Sequence, residues 1–352
     1  MKRFKMICLI CMIITLCGCW DNRDINHRVL PVVLGITMVE EQYKVFLKIP
    51  DPNGEAGKIK IVSAIGETIT KAVDTISKNM ESSVDLLHVK VILIERETAE
   101  KGVKDIISAF MRSREVSQKA LVAICNEDMN EFFSNIQKSS GTEGTTMIDF
   151  FERNAGWNPQ IALTRVWEVY RSIHSFTRDV AIPIIKTGIT TNIEQVGSAI
   201  IKNGKMVEQI TADETLLFNA FDGESTHGQI EVLNHASVMI IGNTMHHKSQ
   251  LTDKKPYMKS LVNLKVVVLE TRGDPTARMI EEELNTLLAD RFKGMLSTMQ
   301  KSEADILGLG QFFRNKISRK ELKNWRSEYY PNLKMDIKFE IDIQNEGYLK
   351  TT

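Results

Sequence analysis

The chain has 352 residues, with 45 Lys plus Arg against 45 Asp plus Glu; 43% of its side chains are hydrophobic and 26% charged. The charges are dispersed and form no polybasic tract, which argues against nucleic acid as a partner and against an electrostatic hold on anionic lipid. At ~150 residues per domain the length allows two or three domains, with enough apolar surface to stand without disulfides.

Met1-Lys2-Arg3-Phe4-Lys5 precedes an apolar run from Met6 to Leu16, and Cys17-Gly18-Cys19 follows. This is the layout of an export signal. The run is shorter than the ~20 residues a bilayer-spanning helix needs, and the polar Asp21-Asn22-Arg23-Asp24 comes soon after it. Leu16-Cys17-Gly18-Cys19 reads as a lipobox, with residues 1–18 as the signal peptide. Cleavage between Gly18 and Cys19 would leave Cys19 first in the mature chain, its sulfur carrying diacylglycerol and its amino group acylated. A thiol is needed there because a thioether links the chain to lipid, and a small neighbour lets the peptidase in. Two acyl chains, at ~0.8 kcal/mol per buried CH₂, hold a protein where one does not. The competing readings, an ordinary secretory signal or an uncleaved anchor, fit the segment's length and flanks less well.

Loss of Lys2, Arg3 and Lys5 with the signal leaves 42 basic against 45 acidic side chains, a formal charge of −3. Cys8, Cys11 and Cys17 leave too, so Cys125 is the one cysteine left besides Cys19, and no intrachain disulfide framework is expected. After the apolar Ala120 to Ile124, Cys125 reads as a small buried hydrophobe at a strand end.

Strand patterns run from Val29 to Val39, Gln42 to Ile49 and Lys58 to Ile65. Ile69, Val73, Ile76 and Met80 then recur at helical spacing. His88 to Ile94 reads as an interior strand; Thr98 is placed to cap a helix carrying Val103, Ile106, Ile107, Phe110 and Met111; and Lys119 to Cys125 reads as another strand. Helical pattern fills Asp128 to Thr177, with breaks at Ser139 to Gly144 and at Asn158-Pro159. A strand near Val180 to Lys186 leads into the polar stretch Thr187 to Asn192, where the sequence divides most readily. Beyond it, Asn203-Gly204 supplies a hairpin turn, and a short helix spans Thr211 to Phe221. Two long strands near Gln229 to Ile241 and Lys259 to Glu270 should pair antiparallel. Asp274 with Pro275 opens a long helix whose buried stripe is Leu284, Leu288, Phe292, Met295 and Met299. The last strand alternates Leu333, Met335, Ile337, Phe339, Ile341 and Ile343 with Lys334, Asp336, Lys338, Glu340 and Asp342. The expected fold is α+β and multidomain, with mixed β-sheets and packed helices, divided into a 19–190 N-terminal and a 193–350 C-terminal α+β domain.

The short motifs that usually mark catalysis are missing: there is no nucleophile elbow, zinc helix, C-x-x-C pair or phosphate loop. Gly308-Leu309-Gly310 starts like a dinucleotide loop, but Phe313 stands where the third glycine belongs. His246-His247 reads as a polar loop whose neighbours point apart, a poor metal pair. His88 and His235 read as hydrogen-bonded structural histidines, and Glu281 to Glu283 as a solvated helix start. No catalytic, metal or cofactor residue is assigned.

Several short blocks stand in a characteristic order along the chain. They are Gly18-Cys19-Trp20-Asp21-Asn22-Arg23-Asp24-Ile25-Asn26, His88 to Ile94 with Ala99-Glu100-Lys101-Gly102 and Arg112-Ser113-Arg114-Glu115, and Gly197 to Lys202 with Lys205-Met206-Val207. Asp305-Ile306-Leu307-Gly308-Leu309-Gly310, Trp325, Tyr330-Pro331 and Gly347 complete the series. In this order the blocks resemble the Ger(x)C lipoproteins, the C subunits of nutrient germinant receptors, although Glu208 stands where that family's pattern has glycine. The resemblance implies a fold particular to that family and a place on the outer surface of the spore's inner membrane, beside membrane-spanning A and B subunits. It also implies that the nutrient binds those subunits and not this one. The rival reading is a solute-binding lipoprotein of a transporter, which would close two lobes on a ligand.

Overall fold

The computed structural model describes residues 28–50, 59–113, 115–139, 146–151, 158–189, 191–223 and 226–345. Gly18, Cys19 and the Trp20 to Asn26 block lie outside the described residues, as do Arg114 and Gly347.

Strands with a continuous apolar core form the middle of a mixed sheet, as expected where both faces are covered. They are β2 (Val33–Val39), β6 (Val91–Glu95), β7 (Leu121–Cys125) and β8 (Val180–Thr187), parallel to one another in sheet order β8-β7-β6-β2. β3 (Gln42–Pro50) and β4 (Ile59–Gly66) extend the β2 side antiparallel, and β9 (Ile193–Lys202) with β10 (Lys205–Ile210) extends the β8 side, making eight strands. A small parallel pair, β1 (Arg28–Val29) with β5 (Ser83–Val84), lies apart from it.

Helices cover both faces. α1 (Ile69–Lys78), α2 (Arg96–Lys101), α3 (Lys104–Ser113) and α6 (Val166–Ile173) pack on the face of Leu34, Leu47, Ile92, Val122 and Ile182. α4 (Met129–Ser139) and α5 (Thr146–Phe151) cover the other face, where Phe132, Phe133 and Ile136 meet Val33, Phe46 and Leu93. Cys125 is fully buried there, and burial pushes its thiol up to about 12, so it behaves as the packed hydrophobe expected.

A second, four-stranded sheet follows: β11 (Ile230–Val232), β12 (Ala236–Thr252), β13 (Lys255–Thr271) and β14 (Lys334–Ile343). β12 and β13 pair antiparallel through 17 residues each, and β14 joins β13 in parallel. α7 (Ala212–Phe221) and α8 (Ala277–Lys301) close this core, with Ile280 added to the stripe anticipated for α8. The alternation of β14 holds: its five charged side chains are exposed, while Phe339 and Ile343 are buried.

Four local expectations need correction. Thr98 lies inside α2, and its Oγ1 accepts from the Met38 amide at 3.1 Å; the helix ends at Gly102, so that Val103 N can donate to Gly204 O at 2.7 Å. His88 closes a 3₁₀ turn over Leu86–His88, where Asp85 accepts from Leu87 N, and the strand starts only at Val91. α8 is capped by Thr276, whose Oγ1 accepts from Met279 N at 3.3 Å, two residues past Asp274. The strand near 229–241 breaks at Leu233, and its two pieces pair with each other.

Asn203 and Gly204, at φ 51° and 77°, make the hairpin turn between β9 and β10. Past it the register slips between Met206 and Glu208, an irregularity beside the position where Glu208 departs from the family pattern. The expected 190/193 division falls in the β8–β9 connection, inside the eight-stranded sheet, so β9 and β10 extend a sheet begun by the first half.

Deleting Leu333 to Ile343 removes the alternating strand from β13 and from the face of α8. The expected outcome is loss of the cooperative melting transition and aggregation on expression; intact solubility with an unchanged melting midpoint would contradict this packing.

Candidate functional site

The block Asp305 to Gly310, together with Trp325 and Tyr330, converges on one buried polar centre where the two halves meet. Asp305 is fully buried. Its Oδ1 accepts from Leu309 N at 2.8 Å, and its Oδ2 accepts from Gly310 N at 2.8 Å and from the Trp325 indole Nε1 at 2.9 Å. Three donors on one carboxylate leave little capacity for water or ligand. Gly308, at φ 65°, makes the left-handed turn that brings these amides round. A Cβ on Gly310 would lie 2.7 Å from the Trp325 ring and 2.8 Å from Thr177. Gly310 is thus required by geometry, and Gly308 is favoured by its backbone conformation.

Asp179 supplies the other half. Its backbone N donates to Asp305 O at 2.8 Å, and its Oδ2 accepts from Asp305 N at 2.9 Å. Arg326 grips the same carboxylate with two donors, Nε to Oδ2 at 2.9 Å and Nη2 to Oδ1 at 2.7 Å, and Nη2 also reaches Ser175 O at 2.8 Å. The bidentate fork fixes orientation as well as charge. Phe313, Trp325 and Tyr329 stack alongside, and the Tyr330 hydroxyl is buried without a hydrogen-bond partner among the described residues.

Burial dominates the electrostatics. It pushes Asp305 up to about 7 against its three donors, with the charge of Asp179 adding to the rise. Asp179 is also raised by burial, despite Arg326. Such shifts often accompany catalysis, yet both carboxylates are enclosed and their oxygens are committed to chain groups. The arrangement orders the chain and presents no reacting atom to solvent.

The histidines sort differently. His246 and His247 lie on β12, not in a loop; His247 Nδ1 is 2.8 Å from Ser260 Oγ, and its ring meets Phe221 and Phe312. His235 pairs through Nδ1 with Glu283, which corrects the reading of Glu281 to Glu283 as simply solvated. His88 is exposed. Among the described residues no cluster of His, Cys, Asp and Glu is arranged to hold a metal. Sequence reading missed Asp179 and Arg326, and neither carries a local motif.

Beside this junction lies an open cleft of about 910 Å³, bordered by residues around Tyr170 to Arg178 and around Gln311 to Leu322. No helix among the described residues is long and apolar enough to cross a membrane.

An α+β chain whose two halves meet at buried motif residues is the class that the fold defines, and comparison places it within a family. The model of the spore germination protein N-terminal domain matches residues 21–187, and that of the "Spore germination B3/ GerAC like, C-terminal" region matches residues 196–347. The chain therefore belongs to the Ger(x)C family of spore germination proteins, the germinant-receptor C subunits that its sequence resembles. Spore germination protein KC of Bacillus subtilis (strain 168) is 21% identical to it over 98% of this chain and 96% of that protein. Spore germination protein GerQC of Bacillus cereus is 20% identical over 84% of each. The crystal structure of the GerBC protein shares the fold at TM-score 0.58 and 18% identity, covering 89% of this chain and 97% of that one.

The pH dependence of stability should expose Asp305. A carboxyl raised from 3.8 to about 7 in the folded state contributes stability that is full below about pH 4 and lost as pH rises through about 7. Asp305→Asn, which does not titrate, should therefore compare worst with the unmodified chain near pH 4 and progressively better towards pH 7. Denaturant midpoints of both proteins across that range check this; a constant difference would show that the carboxyl does not titrate there.

Proposed function

We propose that this chain is the lipid-anchored C subunit of a nutrient germinant receptor, held by Cys19 on the outer surface of the spore's inner membrane. In this reading it works beside membrane-spanning A and B subunits and contributes assembly or signal transmission, not catalysis or nutrient capture. The observation that carries it is the pair of family matches, which begins at residue 21, two positions after the end of the lipobox at Leu16 to Cys19. A rigid body suits transmission, because a force or contact at one half reaches the other only if the two do not slide. The continuous eight-stranded sheet and the buried Asp179–Arg326 pair favour that rigidity.

The second reading, a solute-binding lipoprotein, draws on the cleft beside the junction. Such proteins close two lobes about a hinge, and a sheet shared across the division leaves little freedom for one. Calorimetric titration with amino acids, sugars and nucleosides separates the two: robust micromolar binding would favour the solute-binding reading.

Cys19→Ala should release the protein from the membrane fraction of spores or leave it as unprocessed precursor, and should abolish germination through its receptor. Fractionation with mass spectrometry of the amino terminus measures this. Unchanged membrane retention and acylation would overturn the anchor.

A further inference from the structure

Charges that look dispersed along the sequence are concentrated by the fold at one place. The cleft beside the junction is lined by Arg171, His174 and Arg178 from the first half and by Arg314 and Arg319 from the second, with Phe176 exposed at the same wall. Among the described residues no acidic side chain is part of its lining. In a chain with equal acidic and basic totals, four guanidiniums around one concave surface make a local positive field that the low-dielectric walls focus.

These guanidiniums are only partly compensated. Arg178 pairs with Asp222, and Arg171 Nη2 lies 3.9 Å from Glu168. Arg314 gives Nη1 to the neutral Gln311 Oε1 at 3.1 Å, and Arg319 forms no hydrogen bond or ion pair among the described residues. Arg171 is held below its ordinary range first by burial and then by the charge of Arg178, so the inner pair already bears mutual repulsion that a bound anion would relieve. Each guanidinium has five donors in a planar fork that matches carboxylate and phosphate oxygens two at a time. The positions are held firmly: Arg326 donates to Ser175 O next to Phe176, and Gln311 donates to the Thr177 hydroxyl across the cleft floor.

We propose that this cleft binds a ligand bearing two or more oxyanion groups, phosphoryl or carboxylate, gripped by arginines from both halves of the chain. A single monovalent anion would leave most of the guanidinium charge uncompensated, whereas a multivalent one bridges the two sides. The shared chemistry admits a free polyanion or the headgroup of an anionic lipid beneath the anchored protein. Either source would bridge two segments whose placement the buried junction already fixes.

The test is isothermal titration of the full chain in nonionic detergent at low ionic strength, with pyrophosphate, citrate, and short-chain cardiolipin, which carries two phosphodiesters, against short-chain phosphatidylcholine. Arg314→Ala/Arg319→Ala removes the two exposed second-half arginines without touching the core. Arg278→Ala, an exposed arginine on α8 outside the cleft, is the charge control. The expected result is saturable binding of at least one anionic probe, weakened about tenfold or more by the double variant and unchanged by the control. Preference for pyrophosphate or citrate identifies a free polyanion, and preference for cardiolipin over phosphatidylcholine identifies a headgroup. No saturable binding of any anionic probe, or an equal loss in Arg278→Ala, would overturn the proposal and leave the receptor assignment untouched.

Discussion

The fold depends on a small set of charges that have been taken out of water together. Asp179 lies more than a hundred positions before Asp305 and Arg326, and the three meet in one buried cluster that the Trp325 indole N–H also joins through Asp305. Isolated burial of any one of them would cost several kcal/mol, so the cluster is tolerable only because its oxygens accept from backbone amides, an indole or a guanidinium. That requirement makes the motif strict. Leu309 and Gly310 must present their amides, Gly310 must lack a side chain, and Trp325 must direct its indole N–H inward. Removing one partner from such a pair typically costs ~3–5 kcal/mol, a large share of a domain's total stability.

Fixing this contact also fixes the surface around it. The Arg171 to Arg178 segment and the Gln311 to Leu322 segment flank the junction, and the cleft between them inherits its shape from the buried cluster. A receptor subunit has to present a defined surface to its neighbours. A body whose halves share a sheet and a charge cluster can do so without the flexibility a solute trap needs.

Sequence reading recovered the features that are local in the chain. The alternation of Leu333 to Ile343, the stripe from Leu284 to Met299 and the Asn203-Gly204 turn are each written within a few residues, and the structure bears each out. Errors came where a distant partner decided the outcome. Thr98 is a good capping residue, yet β2 claims its hydroxyl through Met38 N. At the start of α8 the decision was local: the cap is Thr276, whose hydroxyl accepts from Met279 N, and not Asp274. His247 looked like loop because its polar neighbours conceal a strand that runs well beyond the core. Asp179 and Arg326 were invisible for the same reason, since their meaning exists only across a gap of 147 positions. The family resemblance pointed to Asp305 and Trp325 but offered no reason for them, which the hydrogen bonds now supply.

The claim that both halves form one cooperative body through this junction is tested most directly by native-state hydrogen exchange. The amides of Leu309 and Gly310, which donate to the buried Asp305, should open only with global unfolding, at the same free energy as amides in the centre of β6 and β7. Exchange of these two amides well before the sheet core, by a separate opening of the second half, would contradict the account.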